Sequence, residues 1–168
     1  MRLLTIFLLV LACACSALAQ QNLKPGAAAP VFSAQSLNGV PVNLNDFRGK
    51  VVMLTFWSTR CEICHVEIPK LNKVAERHRG DDVVFLALTM ENETKVLPYL
   101  KKNPFNFNIV PNSFGVVLKY ANMDSSGNID MGFPSYFLIT KEGQIALKSN
   151  GWDKADVIDA QITKLLGE

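Results

Sequence analysis

Lys50-Val51-Val52-Met53-Leu54-Thr55-Phe56-Trp57-Ser58-Thr59-Arg60-Cys61-Glu62-Ile63-Cys64-His65-Val66-Glu67-Ile68-Pro69-Lys70-Leu71 is the stretch on which the fold turns. Residues 51–57 are apolar and rich in β-branched and aromatic side chains, which predicts a buried strand. Ser58 and Thr59 interrupt the run and carry oxygens able to accept from the free N–H groups that open a helix. Apolar residues then recur at Val66, Ile68 and Leu71. A strand therefore runs into a helix, with a Cys-x-x-Cys pair on the first helical turn.

That placement has a chemical consequence. The first N–H groups of a helix lack intrahelical partners, and the helix dipole favours negative charge there. A Cys61 thiolate is stabilised at such a position and becomes the attacking sulfur. Cys64, one turn on, is close enough to close a disulfide and to expel a partner from a mixed disulfide. Two other readings compete. A purely structural disulfide this short constrains the unfolded chain little. A zinc half-site needs a second pair of ligands, and beyond the first 19 residues the chain offers only His65 and His78 besides the pair.

The chain has 168 residues, enough for one domain. Its first residues carry one cation, Arg2, then an apolar core, then Ala17-Leu18-Ala19 before Gln20. This is the pattern of a secretory signal peptide over residues 1–19, leaving a domain over 20–168. The apolar run is too short for a convincing membrane span. Val10-Leu11-Ala12-Cys13 loosely resembles a bacterial lipobox, which would make Cys13 a lipidated N-terminus; cleavage before Gln20 is the favoured reading. Loss of Arg2 leaves 16 basic against 15 acidic residues. Such a balance argues against nucleic acid or an anionic membrane surface as the main partner. Loss of Cys13 and Cys15 leaves only the Cys-x-x-Cys pair. A disulfide-stapled exported scaffold has more cysteines; a redox catalyst has no spare thiols to mispair.

The rest of the chain supplies the frame. Residues 22–30 read as an extended lead-in. Residues 31–34 and 40–44 read as short strands around the Leu37-Asn38-Gly39 turn. Residues 46–49 read as a turn, and 61–79 as a long helix ending near Gly80. A second buried strand is predicted over 83–89, and a helix from residue 92 or 93 to 102. A weaker strand follows at 105–110 and a short helix at 114–120. A third strand at 135–140 turns through 141–144 into a fourth at 145–148. An amphipathic helix over 153–166 places Val157, Ile158, Ile162 and Leu165 on one stripe. Strand, helix, strand, helix, hairpin and helix predict an α/β sandwich with a mixed sheet, parallel in its first half.

The stretch from Phe56 to Pro69 resembles the thioredoxin superfamily, and within it the TlpA/ResA-like exported thiol-disulfide oxidoreductases. The likeness extends over most of residues 25–168: the added N-terminal strand pair, the Trp before the motif, and Gly132-Phe133-Pro134 before the third strand. It implies a thioredoxin-like three-layer sandwich with helices on both faces of a mixed central sheet and an added N-terminal β-hairpin. By the same resemblance Pro134 is a cis-proline opposite the cysteines, and the Phe133 backbone pairs with a bound partner as an added strand. Glu67 completes Cys-x-x-Cys-x-x-Glu and is implicated in the protonation of the cysteines; the alternative is a solvated helix-face Glu. Pro69 matches the helix kink. Trp57 packs beside the motif and lines the partner surface, or packs in the core alone. Arg60 replaces a more usual apolar or aromatic residue and could further favour a Cys61 thiolate, with Glu62 opposing it. His65 is read as a surface helix residue. Residues 121–131 form a longer link than usual, either a partner-selecting loop or a tolerated insertion.

Together these imply an enzyme: an exported thiol-disulfide oxidoreductase of the bacterial periplasm or cell envelope, cycling Cys61/Cys64 between dithiol and disulfide. The reductive direction is favoured, because the resemblance is to exported reductases and the Cys-Glu-Ile-Cys interior lacks a His. Its partners would be disulfide-containing exported proteins, with cytochrome c maturation one setting, and a membrane dithiol electron donor. Neither cofactor nor metal is called for. The alternative is a redox-sensitive binding module or copper metallochaperone on the same fold, since Cu(I) suits thiolates; its wider Cys spacing and distant His are absent. Peroxidase chemistry needs a Thr and Arg arrangement that is also absent.

Overall fold

The computed structural model describes residues 23–123 and 126–168. The expected signal peptide at 1–19 and the lipobox Cys13 lie outside the described residues.

The seven residues from Val51 to Trp57, apolar except for Thr55, are all buried, and they make β3 (Val51–Phe56) the centre of the sheet. Its predecessors are β1 (Ser33–Gln35) and β2 (Pro41–Asn43), an antiparallel hairpin. A short 3-10 turn, Leu44–Phe47, follows; it takes in Leu44, which was read as strand, and overlaps the turn expected at 46–49. After β3 come α1 (Glu62–Arg77), β4 (Val83–Leu88), α2 (Glu93–Lys102), β5 (Asn108–Val110) and α3 (Phe114–Tyr120). The chain continues through β6 (Asn122–Met123), β7 (Ile129–Asp130), β8 (Ser135–Ile139), β9 (Ile145–Asn150) and α4 (Ala155–Leu166).

The five-stranded sheet runs β5-β4-β3-β8-β9. β3, β4 and β5 are parallel, while β8 joins β3 and β9 joins β8 antiparallel. This is the expected thioredoxin-like arrangement of a mixed sheet between helical layers, with the added N-terminal hairpin.

Alternation along β3 divides the core. Val51, Met53 and Trp57 face α1 and α4, meeting Cys64, Ile68, Leu71, Val74, Ile158, Ile162 and Leu165. Val52, Leu54 and Phe56 face the other way, against α3 and the N-terminal lead-in, where Phe56, Tyr120 and Phe137 form a ring cluster with centroids 5.0–5.9 Å apart. Tyr120 is fully buried and donates its hydroxyl to the Pro30 carbonyl at 2.9 Å. The lead-in is stitched to the β8–β9 turn by Gly26 N–H on Ile145 O and Ala29 N–H on Gly143 O.

Two expectations need correction, and one link gains local structure. Val157 was placed on the buried stripe of α4 but is 54% exposed; Ala155, Ile158, Ile162 and Leu165 make the stripe. The strand expected at 105–110 shortens to Asn108–Val110, because Phe105 and Phe107 turn into the core from a loop and stack at 4.4 Å. The 121–131 link carries its own two-stranded hairpin, β6–β7.

Candidate active site

β3 delivers the cysteines to the end of the sheet, and α1 begins there. Cys61 itself is the helix N-cap, with extended backbone (φ −87°, ψ 105°), and its Sγ accepts the Cys64 backbone N–H at 3.1 Å. The cap is therefore a sulfur, and Ser58 and Thr59 are not the capping residues. Ser58 Oγ instead accepts the Arg60 N–H, and its carbonyl accepts the Cys61 N–H. Cys61 and Cys64 are joined in a disulfide, Cα atoms 5.2 Å apart. Cys64 is buried at 1% exposure, while Cys61 is partly exposed. On reduction, a Cys61 thiolate inherits the free N–H groups at the start of α1.

The loop before Cys61 is held by a residue that sequence reasoning did not single out. Glu91 sits just beyond β4 and accepts the Thr59 N–H at 2.7 Å and the Thr59 hydroxyl at 2.8 Å. Thr89 Oγ1 approaches the same carboxylate at 3.4 Å. Burial works against the Glu91 charge, but these donors, with the Ser58 hydroxyl, outweigh it and hold the carboxyl below its usual range. From the other side, His65 Nε2 meets the Thr59 carbonyl at 2.9 Å, and its ring stacks on Tyr99 at 5.1 Å. His65 is exposed, as expected, but not idle. No local signal in the sequence marks Glu91, which lies 32 residues from Thr59; only the parallel pairing of β3 with β4 joins them.

Glu67 lies three residues after Cys64, on the same side of α1. It is completely buried rather than solvated. Its Oε1 accepts Lys70 Nζ at 2.8 Å, and its Oε2 accepts the Lys154 backbone N–H at 3.4 Å. Lys70 also binds the Asp153 carboxylate. Burial, and secondly the Glu67 charge, push the Tyr136 phenol well above its ordinary value.

Phe133–Pro134 is a cis peptide. Ser135 pairs with Phe56 in the sheet, so Pro134 sits beyond the end of β3, on the side from which residues 57–61 depart. The Pro134 carbonyl accepts the Gly151 N–H at 3.0 Å. The fold thus gathers Cys61, Cys64, Glu67 and Phe133–Pro134 at one end of the molecule. Trp57 is also there but fully buried, packed on Tyr99 and Phe105, and in this oxidised state its ring offers a partner no surface. Arg60 is exposed and lines a groove of about 330 Å³ with Met90, Lys95 and Phe133. Trp152, unremarked in the sequence, is 52% exposed just after Gly151. Among the described residues no cluster of three or more His, Cys, Asp or Glu could hold a metal ion, and no helix is long and apolar enough to cross a membrane.

The AhpC/TSA family profile matches residues 25–148. The chain belongs to the AhpC/TSA family. Among curated relatives, the thiol-disulfide oxidoreductase ResA of Bacillus thuringiensis is 27% identical over 147 residues, 87% of this chain and 81% of that one. ResA of Bacillus subtilis is 29% identical over 127 residues, 75% of this chain and 67% of its own. Among solved structures, a Chlorobium tepidum protein provisionally assigned as the thiol:disulfide interchange protein DsbE superposes with a TM-score of 0.74 at 26% identity, covering 86% of this chain and 99% of that one. The thioredoxin domain of a thiol-disulfide oxidoreductase from Bacteroides vulgatus gives 0.69 at 25%, covering 83% and 99%. Within this AhpC/TSA family the chain is a thioredoxin-like thiol-disulfide oxidoreductase: its Cys61–Cys64 pair is formed at a helix N-terminus, one cysteine partly exposed and one buried.

Proposed function

We propose that this oxidoreductase is exported through residues 1–19, leaving 20–168 as the working domain, and reduces disulfides in exported partner proteins. The observation that carries the reading is the asymmetry of the pair: Cys61 is partly exposed at the helix N-cap, and Cys64 is buried one turn behind it. The Cys61 thiolate attacks a partner sulfur; a Cys61–partner bond forms and the other partner sulfur leaves as a thiolate. Cys64 Sγ then attacks Cys61 Sγ, the Cys61–Cys64 bond forms, and the second partner thiolate leaves. Two electrons pass to the partner, and protons follow its two sulfurs. Glu67 is the nearby carboxyl for proton traffic to Cys64.

The partner segment lies extended beside Phe133–Pro134, adding a strand at the site. A membrane dithiol protein that passes electrons outward restores the reduced pair. Cytochrome c maturation is a setting that fits, with a disulfide-bearing apocytochrome as substrate.

One titration tests direction. Equilibration of the 20–168 domain with glutathione or dithiothreitol buffers should place the pair toward the thioredoxin end, about −270 mV. A value near about −120 mV, that of strong exported oxidants, would make the protein a disulfide donor instead. For the order of attack, Cys64→Ser should accumulate a mixed disulfide through Cys61. Trapping through the remaining sulfur of Cys61→Ser, and not of Cys64→Ser, would reverse the roles.

A further inference from the structure

Beneath the cysteines lies an ionic chain that neither the motif nor the family comparisons assign. Glu67 is wholly buried, yet its partner Lys70 is 39% exposed and Asp153 is 81% exposed. Lys70 is the only cation in ion-pair contact with Glu67 among the described residues, at 2.8 Å. The three residues step outward from the core to the turn before α4. That turn is itself fixed. Gly151 N–H bonds the Pro134 carbonyl, Asp153 takes a left-handed backbone (φ 51°), and Lys154 N–H reaches Glu67.

We propose that Lys70 is a positioning residue for the cysteine pair, acting through Glu67: it balances and orients the buried carboxylate beside Cys64, and Asp153 holds it there. The proposal rests on the reading that Glu67 serves the cysteines. An isolated carboxylate in a buried site resists a second negative charge close by. Glu67 and Cys64, three residues apart on one helix, have Cβ atoms roughly 5–6 Å apart. A cation on Glu67 therefore lets a thiolate form beside it. The hydrogen bonds to Asp153 and, secondly, to Glu67 push the Lys70 ammonium above its ordinary value, and Lys70 holds the Asp153 carboxyl below its own. The titratable and charged groups facing this chain are Cys64 on α1, with Cys61 bonded to it at the N-cap, Tyr136 from β8, and Asp153 and Lys154 from the turn before α4.

The test is a four-protein cycle on the reduced 20–168 domain: wild type, Lys70→Met, Glu67→Gln and the double variant. The readout is the pH profile of Cys61 alkylation by iodoacetamide. With Lys70 gone, the coupled site releases its protons at higher pH. The midpoint of the profile should rise by about one unit, a tenfold loss of reactivity near neutral pH. In the Glu67→Gln background the same change should move the midpoint by less than about a third as much. Lys70→Arg should restore the wild-type profile. Asp153→Asn alters an exposed side chain, so the protein should fold if Lys70→Met does not, and it should shift the midpoint the same way by a smaller amount.

An unmoved midpoint in both Lys70→Met and Asp153→Asn overturns the proposal. So does a Lys70→Met shift that persists undiminished in Glu67→Gln, because Lys70 would then act without the carboxylate. If Glu67→Gln alone leaves the profile unchanged, the role given to Glu67 is what fails, and the two failures are told apart.

Discussion

Glu91→Ala cuts the tie between the end of β4 and the loop that presents Cys61. The carboxylate accepts two short hydrogen bonds from Thr59, at 2.7 and 2.8 Å, and a longer contact from Thr89 at 3.4 Å. Hydrogen bonds to a charged group each contribute about 1.5–3 kcal/mol when the partner is left unsatisfied. Glu91 is half-buried, so water replaces part of what is lost. The expected cost is about 2 kcal/mol for Glu91→Ala. Glu91→Gln should cost about 1 kcal/mol, because an amide can still accept the Thr59 N–H and donate to the Thr59 hydroxyl but lacks the charge. The carboxyl is held below its usual range in the folded state. Its contribution is therefore complete above the unfolded value, about 4.3, and is lost as pH falls through the folded value. Urea unfolding of the oxidised protein, followed by tryptophan fluorescence, to which buried Trp57 and exposed Trp152 both contribute, measures both effects. The gap between wild type and Glu91→Ala should be widest near neutral pH and close on acidification to about pH 2. A neutral-pH gap below about 0.5 kcal/mol, or one that stays as wide in acid, would refute the reasoning.

Two further outcomes follow from the packing. Tyr120→Phe leaves the buried Pro30 carbonyl without its donor and should cost about 1–2 kcal/mol in urea unfolding. Burial raises the Tyr120 phenol, so its stabilisation is whole below the unfolded value, about 10, and fades above it; wild type should lose stability faster than Tyr120→Phe on going from pH 9 to about pH 11. Gly143→Ala should lower the melting temperature by several degrees, because Gly143 has φ +80° and an added Cβ would strike the Arg48 guanidinium; an unchanged melting temperature would show that both the backbone and Arg48 yield without cost.

What the sequence made legible was whatever depends on short-range pattern. The run 51–57 announced its burial through its composition, and α3 falls at the residues 114–120 read for it. The Cys-x-x-Cys pair was legible because strand, break and helix sit in consecutive residues. What stayed hidden depends on contacts between distant segments. Glu91 binds Thr59 across 32 residues, and Asp153 binds Lys70 across 83. Phe105 and Phe107 looked like strand residues because two alternating aromatics read alike whether a chain is paired or only folded inward. Val157 failed because at 3.6 residues per turn a neighbour of a buried Ile lies 100° away, and only packing against the sheet decides which edge of the stripe is covered.

The stitching of the lead-in at 26–29 onto the β8–β9 turn has a geometric consequence for handling the molecule. β8 runs antiparallel to β3, and Ile139, beside that turn, is opposite Val52 where β3 starts. Cys61 lies past the other end of β3. Anything fastened to the lead-in, whether a bead, a chip or a fluorophore, takes hold of the pole opposite the sulfurs. A protein immobilised that way presents its reactive end to the bulk solution, where a partner can approach it without meeting the support.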